Sequence, residues 1–261
     1  MAGLVIPGST NVTLGTQFFL PEWYAQLYAR LGGGSQFVNN YFAGWMLEPE
    51  CVLLGGPVPH KMAYAGATGT PPAVTEVASM NDLPCFTGWN GSRHIDTGKP
   101  GGKAFTIFLL VNITQDMLDG GVVTNGRAIT RFSGSTHIGI GVSETGALYF
   151  QLADSGGTIS IAGSTLSAGP NLITATCHET SANNYLTKLF VNDLETPVGT
   201  LARALTMDLG STWKVGSIGA TTFWKSAIAG WMVLDRDITE DAAAHAIVAS
   251  LAPSMVAWMT P

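Results

Sequence analysis

Any chemistry in this 261-residue chain must come from few charged side chains, 12 Lys plus Arg and 18 Asp plus Glu. Glycosidic cleavage needs two carboxylates flanking one bond, which a strand supplies by alternating them on one face. The sequence has no Glu-x-Asp-x-x-Glu arrangement. Glu144 stands beside Gly146 in a turn, Glu179 at a strand end and Glu195 beyond a turn. "HETSA" at 178–182 opens like a zinc-protease helix but lacks the second histidine. Neither a GxSxG nucleophile elbow nor a phosphate-cradling glycine loop occurs. The five histidines, at 60, 94, 137, 178 and 245, lack metal-ligand spacing. The sequence reads as non-enzymatic, with no cofactor and no metal.

Recognition of a sugar asks for less: an aromatic face for the C–H side of the ring and planar polar groups for its hydroxyls. Three groups of residues supply such chemistry: Trp89 with Asn90 and Arg93, Asp119 with Asn125 and Arg127, and Trp213 or Trp224. Trp89 and Trp213 read first as core or interface residues and second as ligand contacts. Asp116, Asp119 and Asn125 offer oxygens of the type calcium takes, but no tight acidic cluster surrounds them.

The elements that would position these residues are mostly strands. Thirty-two glycines and few long helical patterns favour short strands joined by tight turns. From residue 83 onward, apolar runs follow one another: "KAFTIFLLVNIT" (103–114), "GGVVTNGRAITRFSG" (120–134) with an Asn-Gly hairpin signal, "THIGIGVS", "GALYFQLAD" after a turn at Glu144–Gly146, then "PNLITATCHET" (170–180) paired with "NYLTKLFVNDLE" (184–195). About eleven strands at spacings of roughly 8 to 15 residues leave no room for crossover helices, which predicts an antiparallel two-sheet jelly-roll sandwich. The sandwich domain is expected over 83–261.

Residues 1–82 differ. Their only Lys or Arg side chains are Arg30 and Lys61, and nothing is charged before Glu22. "LPEWYAQLYARLGG" (20–33) places Trp23, Leu27, Tyr28 and Leu31 at helical spacing with a glycine stop. Two readings stay open for this segment: a packing extension of the main domain, or a small docking and oligomerisation base.

The segments from 83 onward, taken in order, resemble the concanavalin A-like lectin/glucanase superfamily in its laminin-G-like jelly-roll branch. "GWNGSRHIDTG" is similar to the opening strand, "FTIFLLVNIT" to the next, and "NLITATCHETSANNYLTKLFVNDLE" to paired strands closed by an Asn192–Asp193 turn. "KVGSIGATTFWKSAIAGWMVLDRDITEDAAAHAIVASL" resembles the closing signature, a final apolar strand, an Asp-Arg turn and a short C-terminal helix. That helix is expected to start near Thr239 as its cap, and Ala244, Ile247, Val248 and Leu251 give it one face to lay on the sandwich. One departure stands out: Ser226 and Ala227 occupy positions where the family often has glycine and an acidic residue.

Charge sets the last expectation. Charged residues make up 11% of the chain against about 25% in an ordinary soluble domain. With 46% apolar residues and a net charge of −6, nucleic-acid binding is excluded and association with other copies is expected. The start lacks a basic leader region, and no uninterrupted apolar run reaches the 18 or so residues that span a bilayer. Cys51, Cys85 and Cys177 read as reduced core residues. The chain as a whole resembles virion structural proteins of tailed bacteriophages, such as head-decoration, head-fibre or tail-fibre subunits. That resemblance implies a homotrimer bound to other virion proteins, with a lectin-like domain that projects from the particle toward host surface glycans. The alternative is a stand-alone carbohydrate-binding module, followed by a relative of the glycoside hydrolases.

Overall fold

The computed structural model describes residues 21–31, 37–43, 63–65, 72–89, 94–121, 126–133, 136–152, 157–207, 209–216 and 222–261. In chain order the elements are α1 (Glu22–Arg30), β1 (Phe37–Phe42), β2 (Ala63–Ala65), β3 (Ala73–Val77), β4 (Leu83–Thr87), β5 (His94–Pro100), β6 (Phe105–Ile113), α2 (Gln115–Leu118), β7 (Gly126–Ser133), β8 (Thr136–Val142), β9 (Leu148–Leu152), β10 (Thr158–Ile161), β11 (Gly169–Ser181), β12 (Asn184–Val191), β13 (Gly199–Ala204), β14 (Thr212–Val215), β15 (Ile228–Leu234) and α3 (Ala242–Met259). They form the expected all-β antiparallel sandwich. One eight-stranded sheet runs β13-β12-β11-β6-β15-β4-β3 with β1 also on β15, and one seven-stranded sheet runs β10-β9-β8-β7-β14-β5-β2.

Two apolar layers hold the sheets in place. Between them lies a core that includes Ile107, Leu109 and Val111 of β6, Trp231 and Val233 of β15, and Ile129, Ile138, Ile140 and Phe150 of the facing sheet. On the other side of the eight-stranded sheet, Phe108, Leu110, Met232 and Leu234 pack against Trp23, Tyr24 and Leu27 of α1 and Val248, Leu251 and Met255 of α3. This explains why β6 and β15 read as unbroken apolar runs: every residue of both strands is buried, because helices cover the face that would otherwise meet water. Each large side chain buried there is worth about 1.5–3 kcal/mol. Asn112 is itself buried in β6 and donates to Ser226 Oγ at 3.0 Å.

Twelve of the fifteen described strands lie from residue 83 onward, where the sequence suggested about eleven. The other three, β1, β2 and β3, lie before residue 83. They pair with β15, β5 and β4, so both sheets draw strands from either side of position 83. Asn125 of the expected Asn-Gly hairpin lies outside the described residues. The described strand before β7, β6, lies in the other sheet, and β7 pairs with β8 and β14.

The C-terminal helix also differs in detail. Thr239 sits in a 3-10 turn over Ile238–Glu240 whose cap is Asp237, and α3 starts after Asp241, whose Oδ1 accepts from the N–H groups of Ala243 and Ala244 at 3.0 Å each. Two carboxylates share the work expected of one hydroxyl. The helix continues through Pro253 to Met259, since buried Met255 and Met259 extend its apolar face. By length and composition α3 could span a membrane; six of its residues are buried against the sandwich.

Among the described residues, the large apolar side chains left exposed are Phe132, Val198 and Leu209. The scarcity of charge does not appear there as a broad apolar patch. Neutral polar groups and alanines make up much of the exposed surface among the described residues.

Candidate functional site

Both helices of more than one turn lie on the eight-stranded sheet, so the outer face of the seven-stranded sheet carries no described helix. Strand alternation decides what this face presents. With Ile138, Ile140 and Val142 of β8 and Leu148, Phe150 and Leu152 of β9 turned into the core, the residues between them turn outward. These are His137, Gly139 and Gly141 on β8 and Tyr149 and Gln151 on β9. Register then sets two cross-strand rows. One runs Asp96, Lys214, Thr130, Gly139, Gln151, Thr158. The other runs Arg127, Gly141, Tyr149, Ser160.

Glycine at 141 lets these side chains converge. A Cβ built there would come 2.6 Å from Tyr149 Oη, so the tyrosine ring lies over bare backbone. The Arg127 guanidinium reaches across from the far side, 5.4 Å from the Tyr149 ring centroid, and its Nη2 donates to Gln151 Oε1 at 2.7 Å. Nearby on the same face, Phe132 and His137 pair opposite each other, with ring centroids 4.4 Å apart. Phe132 is 37% exposed.

The electrostatics of this cluster are unusual. Arg127 is 7% exposed and Tyr149 6%. Nε and Nη1 of Arg127, Oη of Tyr149 and Nδ1 of His137 are buried without a hydrogen-bond partner. Burial draws the Arg127 pKa down while the Tyr149 ring hydroxyl opposes it; an arginine remains a cation regardless. Burial, and then the Arg127 charge, hold His137 below the ordinary imidazole range. At the other end of the sheet, Thr212 Oγ1 donates to Asp96 Oδ1 at 2.7 Å. Burial and Lys214 together outweigh Asp96 and keep His94 neutral-leaning.

The described residues among those singled out from sequence are dispersed by the fold. Trp224 is fully buried in the core between the sheets, as is Trp213, which meets Phe105 edge-on at 5.3 Å. Trp89 is 6% exposed, tilted against Phe86, and Gly216 leaves the room its ring fills. Tryptophan is large enough that the interior claims these rings first. Asp119 is exposed at the end of α2, where its Oδ1 accepts from Gln115 at 2.8 Å. Asn90, Arg93 and Asn125 lie outside the described residues. Of the named residues that are described, Arg127 alone reaches the outward cluster. Its companions Phe132, His137, Tyr149 and Gln151 were missed, although the alternation in "THIGIGV" and "LYFQL" does assign three of them to one face.

A second group of polar residues has a structural explanation. His178 Nδ1 lies 2.8 Å from Asp237 Oδ2 and 3.6 Å from Glu240 Oε1, close enough together to surround a cation. Asp237 Oδ1 is already taken by the N–H and hydroxyl of Thr239 at 2.8 and 2.7 Å. The group ties the end of β11 to the turn that launches α3.

No family model matches the sequence, and no curated protein matches it. Solved structures do match in fold. Domain 4 of AbnA, an extracellular GH43 arabinanase from Geobacillus stearothermophilus, solved in complex with arabinotriose, aligns with a TM-score of 0.52 at 12% identity, over 85% of this chain and 98% of that domain. The receptor-binding domain of botulinum neurotoxin mosaic serotype C/D aligns with a TM-score of 0.55 at 8% identity, over 85% of this chain and 51% of that one. These domains share the two-sheet sandwich. A leech intramolecular trans-sialidase matches over 57% of this chain at 14% identity and a TM-score of 0.40. The chain spans 23% of that enzyme's length and about half of the toxin domain's.

Proposed function

We propose that this chain is a non-enzymatic saccharide-recognition module that binds through the outer face of its seven-stranded sheet. The observation that carries this reading is the exposed Phe132 ring tilted against His137, on the face that also holds Arg127, Gln151 and Tyr149. An aromatic surface takes the C–H side of a pyranose, and planar polar groups take its hydroxyls. Asp96 is the one carboxylate among the described residues of this face, whereas hydrolysis by paired carboxylates needs two, so binding is favoured over cleavage. The AbnA domain, which shares the fold, was solved with a saccharide bound.

The test is a glycan-array screen of the purified chain, followed by titration of Phe132→Ala with whichever saccharides bind. Loss of binding with the unfolding midpoint retained is expected. A chain that binds no saccharide, or a variant that binds as wild type does, overturns the reading.

A second, compatible role is assembly. Over its 18 residues α3 has no Asp, Glu, Lys or Arg, and it turns Ala242, Ala243, Ala246, Ser250, Pro253 and Ala257 outward. A helix that faces only water ordinarily carries charge on that side. This favours a multi-copy structural subunit, as the resemblance to virion proteins implies, with the sandwich displayed toward glycans. Mass measurement in solution decides: a trimer or other oligomer is expected, and a monomer at micromolar concentration overturns this role.

A further inference from the structure

We infer that the saccharide held on this face carries a carboxylate, and that Arg127 is the residue that receives it. The inference rests on the reading above, that the outer face binds saccharides, and it names the chemical class.

Arg127 is a cation more than nine-tenths buried, yet its described neighbours are neutral. Gln151 accepts one of its N–H groups and the Tyr149 ring lies under its plane. His137, facing the same cation, is held toward its neutral form. The one described carboxylate on the face, Asp96, stands in the other cross-strand row beside Lys214 and accepts from Thr212. A buried charge without a counter-ion is among the costliest arrangements in a folded protein, and it ordinarily calls for a partner of opposite sign. Nε carries one uncommitted donor and Nη1 two, buried without partners. A guanidinium is a rigid planar fork whose geometry matches a carboxylate bidentately. Tyr149 Oη and His137 Nδ1 beside it are likewise buried without partners. The aromatic surface at Phe132 orients a ring, and Arg127 selects the ring that bears an acid.

The experiment uses the full chain and oligosaccharide pairs that differ only in the acid: glucuronate-terminated against glucose-terminated, and galacturonate-terminated against galactose-terminated. Dissociation constants are measured at low and at physiological salt, and again with the uronate converted to its methyl ester. A charge-assisted hydrogen bond predicts tighter binding of the acidic member by about 10- to 100-fold. Esterification should abolish that preference, and Arg127→Lys, which keeps the charge but not the fork, should lose most of it. Equal affinity within each pair, or a preference that survives esterification, overturns the inference and leaves the saccharide reading standing. Failure of the wild-type chain to bind any saccharide overturns both. The ester arm needs no protein variant, so the test holds even where Arg127→Lys does not fold.

Discussion

Arg127 on β7 donates from Nη2 to Oε1 of Gln151 on β9, across 2.7 Å and over the glycines of the strand between them. The bond spans two strand spacings, which only a long side chain crossing a bare strand can do. It fixes the one charged group of the outward cluster.

Removing Gln151 should be felt in stability as well as in binding. Gln151→Ala withdraws the acceptor from a buried cation, and a loss of about 1–3 kcal/mol in urea denaturation is expected. An unchanged midpoint would show that Arg127 finds another acceptor.

Gly141 is required for the convergence of Arg127 and Tyr149. A Cβ at this position would lie 2.6 Å from Tyr149 Oη and would also run into the Gly126 carbonyl, which is backbone and cannot yield cheaply. Gly141→Ala is expected to cost about 1–3 kcal/mol by overpacking and to weaken saccharide binding with it. A variant of wild-type stability and affinity would remove the glycine from the account.

Trp224 and Phe132 should separate stability from recognition. Trp224 is fully buried, so Trp224→Ala should lose about 3–5 kcal/mol. Phe132→Ala, at a residue 37% exposed, should cost far less stability and lose saccharide affinity. Denaturation and titration of both variants check this, and a reversed pattern would place the binding surface elsewhere.

Acidification should destabilise the fold before carboxylates titrate. His94 and His137 both have folded pKa values below the ordinary imidazole value of about 6.5, burial being the first cause in each case. The folded state favours their neutral forms. Their contribution is therefore present above the ordinary value and lost as pH falls through the depressed folded values. Denaturation midpoints should fall between pH 7.5 and pH 5, and His137→Asn should flatten that slope. A flat wild-type profile over this range would contradict the prediction.

Asn192 closes β12 in a left-handed conformation, φ 63°, and its Oδ1 accepts from the Leu172 N–H at 2.8 Å while its Nδ2 donates to Asn171 at 3.0 Å. Asn192→Ala removes the acceptor and leaves a strained backbone, for an expected loss of about 1–3 kcal/mol. Asn192→Asp keeps the acceptor and should lose less. Equal losses in the two variants would assign the effect to something other than Leu172.

The sandwich and its hairpins were legible because short-range physics dictates them. The Glu144–Gly146 turn joins β8 to β9 with Gly146 at φ 79°, and the strands over 170–180 and 184–195 pair around Asn183 at φ 59°. Turn residues with positive φ and apolar alternation are written locally, so a sequence displays them. Trp89 and Trp213, read first as core or interface residues, are buried, and so is Trp224, whose place in the core became clear only with the opposing sheet.

By itself the sequence determined the class of fold, the strand-rich order and the apolar double-sided character of β6 and β15. Which residues share the outward face was decided by tertiary structure, and Arg127 shows why. Strict alternation along "RAITR" would put Arg127, Ile129 and Arg131 on the same side. A register shift between Arg127 and Ile129 breaks the count. It leaves Ile129 and Arg131 inward, Arg131 against Phe105 and Trp213, and turns Arg127 outward. A bulge depends on how two strands pair across a sheet, and pairing is a property of the assembled fold.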